Sequence, residues 1–124
     1  MRSERTFPPD PLAVRQARRF AADQLREVDT TTQEVVELMV SELATNCVRH
    51  AQSDFTISVR CDGEHVRVEV LDAGEGAPLP RSPRSHEPTG RGLRIVDQLA
   101  GSWGIERRPR GGNLVWFETD STAP

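Results

Sequence analysis

The sequence predicts an α+β fold, a two-layer sandwich in which helices cover one face of a mostly antiparallel sheet. Three observations predict it. Two amphipathic helical stretches open the chain, strictly alternating segments flank Asp62-Gly63, and a further helix and hairpin follow a proline-rich loop. All 124 residues are expected to form one domain, with its core from about residue 7 to 118.

Each element has a local reason. Residues 1 to 9 read as a loose end in which Arg5-Thr6-Phe7 can form an edge strand. Asp10-Pro11 then starts a helix, Asp as N-cap and Pro in the first turn. Leu12, Val14, Ala17, Phe20, Ala21 and Leu25 give that helix its apolar stripe. Thr31-Thr32-Gln33-Glu34 matches a capping box, so a second helix is expected from about Thr32 to Ala51-Gln52. Its apolar arc is Val36, Met39, Val40, Leu43, Cys47 and Ala51. Phe55, Ile57, Val59 and Cys61, then Val66, Val68 and Val70, alternate on either side of Asp62-Gly63, a hairpin with one apolar face. From Ala77 to Thr89 little can be buried, and a long loop is expected. Gly90-Arg91-Gly92 leads into a short helix closed by Gly101, and Trp103 to Arg107 with Leu114 to Glu118 forms a last hairpin.

Composition removes several classes of function. A net charge of −3 and a pI near 5.6 argue against broad phosphate neutralisation on nucleic acid. All 16 basic residues are arginine. Without lysine there is no Walker P-loop and no Schiff base, so any grip on phosphate must come from backbone N–H groups, arginines and a metal. Cys47 and Cys61 have no metal-ligand spacing, and no apolar run reaches membrane-spanning length. A soluble, cytoplasmic, reduced protein that meets neither nucleic acid nor membrane is expected.

Three short motifs carry the chemistry. Glu42 and Asn46 lie four residues apart on one helix face, at the edge of its apolar arc. They supply two oxygen ligands, or a base and a ligand, although the same spacing also occurs on plain solvated faces. Asp72-x-Gly74-x-Gly76 follows a buried strand; its glycines allow a tight turn close to a flat ligand, and its carboxylate can accept from an exocyclic amine. An ordinary glycine-rich turn reads the same way. Gly90-x-Gly92-Leu93 opens a helix whose free N–H groups suit a phosphate, with Arg91 and Arg94 adding charge; alternatively it is a flexible helix entry. His50, His65 and His86 make no zinc pattern, and Trp103 and Trp116 read as core or sheet residues.

In this order and on these elements, the three motifs resemble the N box and two glycine boxes of the GHKL superfamily, the histidine-kinase-like ATPases of Bergerat fold. Ser41 to Ala51, Gly90 to Leu93, and Gly104 with Gly112 to Trp116 are similar to the single-domain anti-sigma-factor serine/threonine kinases. The resemblance covers roughly Phe7 to Glu118. It implies that Asn46 binds Mg²⁺ bridging the phosphates of ATP, and that Glu42 is the general base. It also implies that Asp72 holds the adenine amine, Gly74 and Gly76 shape its pocket, residues 77–89 form an ATP lid, and Gly90, Arg91, Gly92 and Leu93 line the phosphates. The implied partners are an anti-sigma factor antagonist, a sigma factor, or both, and relatives often form homodimers.

The sequence also departs from the pattern. Larger members place a lysine on the γ-phosphate; here Arg81, Arg84 or Arg91 would have to substitute. A second reading, from another class, is a non-catalytic module that binds ATP and reports occupancy to a protein partner. A degenerate fold that binds no nucleotide is opposed by the intact Asp72, Gly74, Gly76, Gly90 and Gly92.

Overall fold

Five strands and three helices make up the computed structural model, described here over residues 2–63, 65–74, 88–109 and 111–120, with the backbone only for 88–92. Strand β1 (Arg2–Phe7) is followed by α1 (Pro11–Asp23), α2 (Thr30–Asn46), β2 (Phe55–Asp62) and β3 (His65–Asp72). Then come α3 (Pro88–Leu99), β4 (Ser102–Arg107) and β5 (Asn113–Asp120). The sheet order is β1-β2-β3-β5-β4, and every neighbouring pair is antiparallel. The expected α+β sandwich is the fold observed, with all three helices packed on one face.

Register explains which side is covered. Phe7, Phe55, Ile57, Val59, Val66, Val68, Val70 and Phe117 share one face of the ladder, and all are buried beneath the helices. Phe7 stacks on Phe55 at 5.5 Å between centroids and meets Phe20 of α1 edge-on at 6.1 Å. The helices contribute Ala13, Ala17 and Ala21 from α1, Val36, Met39, Val40 and Leu43 from α2, and Leu93 and Val96 from α3. Small residues along α1 let that helix lie close to its neighbours. The opposite face is held by long polar side chains. Arg67 bonds Glu69 (3.0 Å) and Glu118 (2.6 Å), and its guanidinium lies 4.5 Å over the Trp116 ring. Trp116 is therefore an open-face residue, lying where a Cβ on Gly104 would come within 2.8 Å of its indole.

Several boundaries differ from expectation. The first strand begins at Arg2, because all six of its residues pair with β2. The cap of α1 is Asp10, whose Oδ1 accepts from Leu12 N at 2.8 Å, as the sequence predicts. The cap of α2 is not the Thr31 capping box. Asp29 takes that place, accepting from Thr32 N (3.0 Å) and from the Thr32 hydroxyl (2.8 Å). Gln33 is drawn elsewhere, donating to the Leu25 and Val28 carbonyls of the preceding turn. Helix α3 begins at Pro88, so the expected lid gives its last two residues to the helix. Among the described residues no helix is long and apolar enough to cross a membrane.

Candidate functional site

Helix α2 does not simply stop after Asn46. Residues Cys47–Ala51 form a π turn, closed by Gln52 N donating to Cys47 O at 2.9 Å. Gln52 then turns left-handed at φ 52°. Such wide turns are rare and cluster at functional positions. This one carries Ala51 onto the loop after β3: a Cβ on Gly74 would stand 2.9 Å from Ala51 Cβ and 3.1 Å from Ala51 O. Only glycine fits there, so the first glycine after Asp72 is required by the end of the α2 segment. Glu42 and Asn46, both half-buried, sit on the last α-helical turns leading into this contact.

Asp72 ends β3 on the covered face, opposite Phe55 on β2 and Asn113 on β5. Its Oδ1 accepts from Gly74 N at 2.9 Å and from Asn113 Nδ2 at 3.4 Å. Burial raises the Asp72 carboxyl above its ordinary value, and the hydrogen bonds from Gly74 and Asn113 pull back against it. The same enclosure pushes the Cys47 thiol up strongly, with the Asp72 charge adding to burial. A buried thiol of this kind is inert as a nucleophile. The loop is tied down from the other sides as well. Ala73 N donates to Ser53 Oγ (3.0 Å), and Gly112 N donates to Gly74 O (3.2 Å). Gly112, at φ +95°, leaves room for the Asp72 carbonyl, which a Cβ would meet at 2.5 Å.

The structure brings Ala51, at the end of the helical segment that carries Glu42 and Asn46, onto Gly74, whose N–H is bonded to Asp72. It places Gly90, Arg91 and Gly92 in the first turns of α3. A helix starting at Pro88 leaves the N–H groups of Thr89 and Gly90 without intrahelical partners, whereas Gly92 lies a full turn in. Leu93 is buried in the core beside Val96. Gly76, Arg81, Arg84 and the lid up to residue 87 lie outside the described residues. Asn113 and Gly112 have no assigned role in the sequence reading, yet they flank Asp72. The available signal was Gly111-Gly112-Asn113 opening a strand, but only the register shows that this strand lies beside β3.

The donor set suits a hard cation. Asn46 offers a carboxamide oxygen and Glu42 a carboxylate one turn away, and among the described residues no group of three or more His, Cys, Asp or Glu builds a protein cage. Such a pair fits Mg²⁺, which keeps waters and takes the rest of its shell from substrate phosphates.

A family model described as a histidine kinase-like ATPase domain matches residues 7–119. Solved structures agree on the fold. The chain superposes over 100% of its length on 33% of a chain holding the RsbU and RsbW domains of Rv1364c from Mycobacterium tuberculosis, at TM-score 0.76 and 19% identity. A histidine kinase domain from the Erythrobacter litoralis EL346 blue-light activated histidine kinase matches 73% of this chain and 45% of its own, at TM-score 0.52 and 27% identity. The Acinetobacter baumannii histidine kinase AdeS covers 98% of this chain and 68% of its own, at TM-score 0.57 and 13% identity. This chain thus spans about a third of the first neighbour and under half of the second.

Proposed function

The chain belongs to the histidine kinase-like ATPase domain family of the GHKL superfamily, and from that premise we propose that it binds Mg-ATP and phosphorylates a serine or threonine of an anti-sigma factor antagonist. The observation that carries the reading is the junction of α2 with the β3 loop. Ala51 packs on Gly74, and Gly74 N donates to Asp72, which links the loop of the carboxylate to the end of the helical segment bearing Glu42 and Asn46. A base-recognition group and a phosphate-side oxygen pair on one rigid junction are what a purine nucleoside triphosphate requires.

In this reading Asp72 accepts from the exocyclic amine, with Gly74 and Gly76 giving the ring a close approach. Asn46 holds Mg²⁺, which when bound neutralises phosphate charge. The N–H groups at the start of α3, with Arg91, receive the phosphates. Glu42 takes the proton from the incoming hydroxyl as its oxygen bonds to the γ-phosphorus and the bond to the β-phosphate oxygen breaks. Positioning and charge stabilisation supply most of the acceleration. The likeness to a chain containing an RsbW domain supports a protein partner.

Calorimetry with Mg-ATP, followed by transfer of labelled phosphate to a cognate antagonist, tests both halves. Glu42→Ala is expected to keep nucleotide binding and to lower transfer by at least a hundredfold, within the range of a general base. Nucleotide binding with no transfer by the wild type would replace the kinase with an ATP-dependent interaction module of the anti-sigma type, acting on its partner by occupancy.

A further inference from the structure

Asp72 is followed by a loop that the sheet itself does not hold. The β2–β3 ladder closes with Phe55 opposite Asp72, so Ala73 and Gly74 lie past its last rung. Their backbone groups are partnered all the same. Gly74 N donates to Asp72 Oδ1 at 2.9 Å, and Gly74 O accepts from Gly112 N at 3.2 Å. Ala73 N donates to Ser53 Oγ at 3.0 Å. The Ser53 hydroxyl donates in turn to the Asp54 carbonyl at 3.1 Å, which commits its proton locally and turns its lone pairs to the loop. One serine side chain thus does for Ala73 what a ladder carbonyl does for residues inside the sheet.

Ser53 is placed from the other side. The π turn Cys47–Ala51 and the left-handed Gln52 deliver it to the start of β2. Two residues earlier, Ala51 lies so close to Gly74 that a Cβ there would stand 2.9 Å from Ala51 Cβ. Residues 51 and 53 therefore touch two consecutive residues of the loop. Packing at Gly74 limits how near the loop can come, and the directional hydrogen bond at Ala73 fixes where it stays.

We propose that Ser53 is a positioning residue for nucleobase selection: its hydroxyl holds the Ala73–Gly74 loop, and through it the Asp72 carboxylate, where the exocyclic amine of adenine reaches it. The inference deepens the Mg-ATP reading and rests on it. Selection of this kind depends on where the acceptor stands. A displaced carboxylate loses the amine, whereas the purine ring and the phosphates keep their own contacts. Ser53 is half-buried, so trimming it to alanine cuts the tie without opening the core.

Calorimetry on the full chain compares Mg-ATP with Mg-purine riboside triphosphate, which differs only in lacking the 6-amino group. The wild type is expected to favour ATP by about tenfold or more, the worth of a hydrogen bond to a charged acceptor. In Ser53→Ala that preference should shrink by roughly threefold to tenfold, the scale of one neutral hydrogen bond, through weaker ATP binding. The amine-free analogue should bind the variant as it binds the wild type, which also shows that the variant is folded. Ser53→Thr, which keeps the hydroxyl, should restore the preference. An unchanged preference in Ser53→Ala, an equal loss of both nucleotides, or no recovery in Ser53→Thr would each overturn the inference and leave the Mg-ATP reading standing. A wild type that binds neither nucleotide would overturn both.

Discussion

Strand β3 carries a titratable side chain at each end, and β5 brings a polar partner to both. At one end His65 pairs with Asp120 across the ladder, its Nδ1 2.8 Å from Oδ1 and its Nε2 3.4 Å from Glu118. These groups are in water, and they satisfy one another with long side chains. At the other end Asp72 lies opposite Asn113, half-buried, and is held by a backbone N–H and a carboxamide at 2.9 and 3.4 Å. The first arrangement stabilises the fold slightly. The second costs it, because burial raises the carboxyl pKa above 3.8 and penalises the charge. A half-buried carboxylate at a strand end, penalised by burial, is what a ligand-recognition role would explain, since function tolerates local cost.

The largest effect that would sharpen this contrast is expected from Asp72→Asn. Losing a hydrogen bond to a charged group costs about 1.5–3 kcal/mol, so Mg-ATP affinity measured by calorimetry should fall by roughly one to two orders of magnitude. Stability should move the other way. A folded carboxyl with a raised pKa weakens the native state as pH climbs from 3.8 through its folded value. The variant should therefore melt above the wild type at pH 7, with the advantage vanishing by about pH 4. A lower melting temperature at pH 7 would break the comparison, making Asp72 a structural residue.

Next in size is Gly112→Ala, which tests whether β5 positions Asp72. A side chain at φ +95° is strained, and its Cβ would press on the Asp72 carbonyl. A loss of about 1–3 kcal/mol is expected in chemical denaturation, together with weakened nucleotide binding. Normal binding in a destabilised protein would confine Gly112 to the turn.

The smallest effect belongs to His65→Gln. The Asp120 hydrogen bond raises the imidazole above 6.5, aided by Glu118 and opposed by slight burial. Its stabilisation is present in full below 6.5 and fades as pH rises through the folded value. At this exposure it should amount to less than about 1 kcal/mol at pH 6, disappear by pH 9 and shrink in salt. Nucleotide binding should be untouched.

Legibility differed between these regions for a physical reason. Periodicity is local, so α1, the Asp62-Gly63 hairpin and the buried faces of β2 and β3 could be read directly from the sequence. Caps compete locally as well, but on fine margins. Asp29 takes the cap from Thr31 because its carboxylate accepts from both the backbone N–H and the hydroxyl of Thr32. The π turn left no mark in the pattern, since Cys47 and Ala51 suit an α-helical arc equally well.

By itself the sequence determined the element types, the α+β class, the absence of lysine chemistry and the positions of Glu42, Asn46, Asp72 and Gly74. Each of these depends on side-chain identity and on contacts within a turn or a strand. Tertiary structure alone decided that Asn113 and Gly112 meet Asp72 and that Ala51 makes Gly74 obligatory. Those facts depend on strand order, register and helix rotation, which are set by how the whole core packs.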